Sequence, residues 1–116
     1  MWTAGRMRES GERKILAMSY EMTVGLLVTD HDMYAQYRAE MRPMLEAVGG
    51  AFRYDFEVER VLKSEAGHEI NRVFVLGFPD RASKESFFSN PEYLKVRAQR
   101  FEKAVSGTTI IAEYGE

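Results

Sequence analysis

Cysteine is absent from the 116 residues. Disulfides, thiolate metal sites and cysteine nucleophiles are therefore excluded. Long hydrophobic runs are missing too, and nothing approaches the roughly 18 consecutive apolar residues of a membrane-spanning helix. The opening stretch MWTAGRMRESGERKILA lacks the continuous apolar segment of about 7–15 residues that a secretory signal needs. No membrane association and a cytoplasmic location are expected. Neither sign of charge dominates, since 16 Lys and Arg stand against 18 Asp and Glu for a net charge of −2. That balance argues against a dedicated nucleic-acid binder. Prolines number only three, so each marks a particular place in the chain.

What is present suits one globular domain: 45% hydrophobic and 29% charged residues in a chain of single-domain length. Residues 1–17 are polar and basic and read as an N-terminal extension, with a short helix over Glu9–Ala17. Residues 18–116 form the domain.

Within YEMTVGLLV, Tyr20, Met22, Val24, Leu26 and Val28 share one face of a strand. Asp30 is placed to cap the helix that follows, whose stripe is Met33, Tyr34, Tyr37, Met41, Met44, Leu45 and Val48. Pro43 predicts a bend in it, and Gly49-Gly50 its end. Phe52, Tyr54, Phe56 and Val58 alternate as a second strand. Val61 breaks the phase, so a bulge is expected near Glu59-Arg60. A turn at 64–67 leads into INRVFVLGF, a strand apolar on both faces. A tight hairpin would pair Glu59 with Arg72. Asp80 caps a short helix through Phe87 and Phe88. Ser89 and Glu92 have capping-box spacing, with Pro91 at the first helical position. The stripe of Tyr93, Leu94, Arg97, Phe101, Ala104 and Val105 ends at Gly107, and TTIIAEY is the last strand.

The order is βαββαβ, an α+β fold. Right-handed crossovers put strands one and three in the middle of an antiparallel four-stranded sheet with both helices on one face. The other face carries Leu27 and parts of the second and third strands, too apolar to be left wet. A second copy packed sheet to sheet solves this, so a homodimer is expected.

From Tyr20 to Tyr114 the chain resembles the domain-of-unknown-function 1330 family of the dimeric α/β-barrel superfamily. The resemblance rests on Thr29-Asp30, Tyr34 and Tyr37 in MYAQYR, Pro43, Gly49-Gly50, Phe78-Pro79-Asp80-Arg81, Phe87-Phe88 and the SNPEY block Ser89–Tyr93. It implies a ferredoxin-like fold paired into a barrel. Related branches include cofactor-independent monooxygenases, haem-degrading enzymes and lactone isomerases, but a shared fold does not carry an activity across.

Asp30-His31-Asp32 looks like a ligand set, yet adjacent residues at a helix start diverge and acids there suit the helix dipole. No metal and no cofactor are expected. Asp55, Glu57 and Glu59 form a row able to raise a carboxylate pKa or to pair with Arg53, Arg60 or Arg72. Three residues are the candidate catalytic groups: Tyr37 and Arg97, polar groups on apolar helical stripes, and His68, because histidine is the residue type suited to proton transfer at neutral pH. Arg97 suits a carboxylate and Tyr37 a hydrogen bond. Tyr54, Phe74, Phe78, Phe88 and Arg100 are the candidate pocket residues. Two functions follow. One is a cofactor-independent enzyme acting on a small organic acid or aromatic. The other is a non-catalytic small-ligand-binding or assembly module.

Overall fold

Tyr20, Met22, Val24, Leu26 and Val28 are all buried, every second residue of β1 (Tyr20–Val28). The computed structural model describes residues 18–116, so the extension over 1–17 and its expected helix lie outside the described residues. Asp30 accepts a hydrogen bond from the Met33 amide at 3.0 Å and opens α1 (His31–Ala47). Tyr34, Tyr37, Met41 and Leu45 are its buried stripe, and the helix runs on through Pro43. Gly49 ends it with φ +82°, a conformation that favours glycine. β2 (Ala51–Glu57) and β3 (Arg72–Phe78) follow.

Asp80 caps α2 (Arg81–Ser89) through the Ser83 amide at 2.7 Å. Asn90, and not Ser89, caps α3 (Pro91–Val96), accepting from the Glu92 amide at 2.8 Å. The Ser89 hydroxyl donates back to the Glu85 carbonyl instead, closing the end of α2. Pro91 occupies the first turn, as its missing N–H allows. The helix then widens into a π turn, Arg97–Phe101, and closes with α4 (Glu102–Ala104). β4 (Val105–Gly115) starts two residues before Gly107, so Gly107 lies inside a strand and does not terminate the helix. A Cβ there would meet the His68 ring at 2.5 Å.

The sheet order is β2-β3-β1-β4, all antiparallel. This is the ferredoxin-like arrangement, with β1 and β3 central. The helices cover one face, where Tyr20, Phe78, Phe87, Leu26, Met41 and Leu45 are fully buried. Each such side chain contributes about 1.5–3 kcal/mol. Asn71 ties the end of β1 down. Its side-chain amide exchanges hydrogen bonds with the Val28 backbone at 2.8 and 2.9 Å, and its own N–H bonds to Leu26 at 2.8 Å.

The bulge in β2 falls earlier than the sequence pattern places it. Phe52 pairs with Leu76 and Tyr54 with Val75, leaving Arg53 as the extra residue. Phe52 therefore faces the helices, whereas Tyr54 and Phe56 face the bare side, since cross-strand partners share a face. The two rings stack there, 5.9 Å apart, and are 55% and 53% exposed. Ile111 and Tyr114 of β4 are also more than half exposed. Their register with Glu21 and Thr23–Val24 puts them on that same side.

Candidate functional site

A cavity of about 260 Å³ lies between the helices and the sheet. Met22, Val24, Phe74 and Leu76 form its floor. Phe52 of one edge strand and Ile110 of the other bound it on opposite sides. The roof comes from Tyr37 and Met41 of α1, Lys84 and Phe88 of α2, Tyr93 of α3, and Arg97 and Phe101 of the π turn. Apolar walls with a few convergent polar groups are the usual make-up of a small-molecule site.

The polar groups converge at the roof. The Tyr37 and Tyr93 hydroxyls are 2.8 Å apart, and the Tyr37 ring lies 5.0 Å from that of Phe101. Burial pushes the Tyr37 phenol well above its ordinary range. The neighbouring Tyr93 adds to this and the Arg97 charge opposes it. Burial also raises Tyr93, against its hydrogen bond with Tyr37 and the Arg97 charge. Both phenols thus keep their protons at neutral pH. Two hydroxyls sharing one hydrogen bond leave one O–H to donate elsewhere.

Arg97 begins the π turn, a feature found often at functional sites. Its guanidinium carbon lies 5.7 Å from the Phe101 ring centre. Among the described residues its buried Nε has no hydrogen-bond partner and no ion pair includes it. A buried guanidinium N–H without an acceptor is costly, and a ligand carboxylate would supply one. Lys84, the other cation of the lining, is already paired with Glu113 at 2.9 Å.

The cavity thus brings together Tyr37, Arg97, Phe74 and Phe88. It does not include the other sequence-predicted residues. Phe78 is wholly buried in the core beside Phe87 and Phe88, ring centres 6.1 Å away in each case. Tyr54 is on the far side of the sheet because of the Arg53 bulge. Arg100 faces outward, paired with Glu40 at 3.0 Å. His68 is also across the sheet, its ring nitrogens 2.7 Å from the Thr109 hydroxyl and from the Glu69 carbonyl. Sequence reading missed Tyr93, Lys84, Phe101 and Phe52. A tyrosine two residues after a helix-starting proline was the available signal for Tyr93.

The acidic row resolves differently from its sequence reading. Arg72 bonds Asp55 in bidentate fashion, 2.8 and 3.0 Å, and not Glu59: the early bulge turns Asp55 toward the helices, and β2 ends at Glu57, opposite Arg72, so no tight hairpin brings Glu59 to it. Arg38 of α1 bonds the same carboxylate and lies over the Phe52 ring, 3.7 Å from its centre. Burial raises the Asp55 carboxyl, but the hydrogen bonds and charges of Arg72 and Arg38 outweigh it and hold it below the usual value. Asp55 is therefore a structural anion and not a base. Among the described residues no three His, Cys, Asp or Glu converge to hold a metal ion, and no helix is long and apolar enough to cross a membrane.

Solved structures with the same fold include a protein of unknown function from Rhodopseudomonas palustris, at 18% identity and TM-score 0.72, covering 94% of this chain and 95% of that one. A dabb family protein with a ferredoxin-like fold from Mesorhizobium loti follows, at 15% identity and TM-score 0.57, covering 85% and 97%. A hypothetical Arabidopsis thaliana protein solved in solution has 10% identity and TM-score 0.55, covering 85% and 88%. At these identities the likeness is one of fold. No curated protein matches. Residues 22–114 match the family model described as Domain of unknown function (DUF1330), and the chain belongs to that family.

Proposed function

We propose that the protein works as a homodimer and that each protomer holds a small organic acid, with an aromatic or short aliphatic body, in the cavity under Tyr37 and Arg97. The observation that carries this reading is the unpartnered, buried Arg97 Nε beside the Tyr37–Tyr93 hydroxyl pair in a cavity otherwise walled by apolar side chains. The guanidinium takes the carboxylate, the spare phenol O–H adds a hydrogen bond, and Phe52, Phe74 and Phe88 enclose the body. The bare sheet face supports the dimer. Tyr54, Phe56, Ile111 and Tyr114 leave an apolar patch there of the kind that marks an interface.

A second reading, a cofactor-independent enzyme at the same cavity, rests on the protonated phenol pair, a hydrogen-bond donor for a developing oxyanion. Binding is favoured over turnover because none of the described lining residues is His, Asp or Glu, the usual proton acceptors. A thermal-shift screen with benzoate, phenylacetate, hexanoate and phenol tests the reading. A ligand at 100 times its Kd adds about 2.7 kcal/mol. Stabilisation by the acids and not by phenol is the expected result. Equal response to phenol, or none to any acid, counts against it.

A further inference from the structure

Among the described residues two cations line the cavity, and they are not equivalent. Arg97 has an unpartnered buried Nε. The Lys84 ammonium is 2.9 Å from Glu113, whose carboxylate also accepts the Tyr20 hydroxyl. Glu113 pairs with Met22 across β1 and β4, so it lies on the helix-covered side, beyond Ile110 and Thr108 at the cavity's β4 margin. Two further charges lie nearby, Glu85 beside Lys84 and Arg81, whose guanidinium carbon is 5.1 Å from the Tyr20 ring centre; neither lines the cavity.

We propose that Glu113 sets the charge of the ligand: by neutralising Lys84 it leaves Arg97 as the cation offered to the ligand, and so selects monocarboxylic over dicarboxylic acids. This rests on the reading of the cavity as an organic-acid site. A monoacid satisfies Arg97 and places its uncharged body among aromatic and aliphatic side chains. A second carboxylate would enter an apolar cavity whose other ammonium is already held by Glu113, and an unpaired charge in such surroundings is strongly disfavoured. The ion pair keeps both partners charged near neutrality. The hydrogen bond with Glu113 raises Lys84, and the hydrogen bonds with Tyr20 and Lys84 lower Glu113.

Specificity here is a difference of affinities, and it is achieved by denying a partner to the wrong ligand. Removing the Glu113 charge would free Lys84 to serve as a second carboxylate site. Benzoate compared with phthalate, isophthalate and terephthalate, titrated calorimetrically, probes this over three spacings of the second carboxylate. The wild-type protein is expected to prefer benzoate to each diacid by about tenfold or more. Glu113→Gln is expected to narrow that preference at least about fivefold for one diacid or more. Lys84→Met in the Glu113→Gln background restores it, which separates freed charge from a loosened strand edge. A Glu113→Gln preference unchanged for all three diacids, with benzoate still bound and still dependent on Arg97, overturns the proposal alone. Failure of benzoate to bind the wild-type protein overturns the organic-acid reading, and this inference with it.

Discussion

The hydroxyls of Tyr37 and Tyr93 meet at 2.8 Å although the residues are 56 apart in sequence. One is on α1 and the other on α3, so a single hydrogen bond joins the two helical segments above the cavity. Either single change to Phe leaves a buried hydroxyl unpaired, at a cost of about 1–3 kcal/mol. Removing both hydroxyls leaves nothing unsatisfied. Tyr37→Phe and Tyr93→Phe are each expected to lower the urea midpoint, and the double variant to lose less than their sum. Strict additivity in that double-mutant cycle would show that the hydroxyls do not interact.

Arg97 should behave as a group kept for binding. Arg97→Met retains an apolar stem under Phe101 and removes the unpartnered Nε. Its thermal midpoint is expected at or above that of the wild type. Affinity for benzoate is expected to fall by about tenfold to a hundredfold. A large loss of stability instead would identify Arg97 as a structural residue.

Asp55 ties α1 to β2 and β3 through Arg38 and Arg72. Its folded pKa lies below the ordinary value, despite the opposing effect of burial. Stability from it is therefore present above the unfolded value of about 3.9 and is lost as pH falls through the folded one. Asp55→Asn is expected to cost about 1–3 kcal/mol at pH 7. The gap from the wild type should start to shrink below about pH 4, where the unfolded carboxylate takes up its proton, and close only at the lower pH where the native one is protonated too. Urea denaturation at pH 7, 5 and 3 measures it. A gap independent of pH would mean that charge is not what Asp55 contributes.

On the bare face, Tyr54 and Phe56 stack and are more than half exposed. Tyr54→Glu with Phe56→Glu places two like charges on each protomer at the proposed interface. Sedimentation velocity at micromolar concentration is expected to show a dimer for the wild type and a monomer for this variant. A wild-type monomer, or an unaffected dimer, would remove that face as the site of association.

The fold was legible because the buried side chains of β1 (glycine aside) and α1 follow a single uninterrupted period, 2 or about 3.6. The caps at Asp30 and Asp80 and the stop at Gly49 follow from local chemistry alone. The Arg53 bulge was not legible. Phe52, Tyr54 and Phe56 alternate without a break, and a bare face that tolerates aromatic residues makes either side acceptable to them. That one slip also directs Tyr54 toward the cavity, whereas the Glu59–Arg72 pair fails because the connection over 58–71 is not a tight turn and the register sets Arg72 opposite Glu57. The π turn leaves no compositional mark, and Leu94, expected on the buried stripe, is 44% exposed. Tyr37 and Arg97 stand out in the sequence because polar groups on apolar stripes must have partners, and both line the cavity. His68 was singled out only by residue type, and its hydrogen bonds tie it to the opposite side of the sheet.

The most direct measurement is isothermal titration of benzoate into the wild-type protein and into Arg97→Met, side by side. Saturable uptake of one benzoate per protomer by the first, lost or weakened at least about tenfold in the second, is what an acid-binding cavity under Tyr37 and Arg97 requires. No uptake by the wild type, or equal uptake by both, would contradict it.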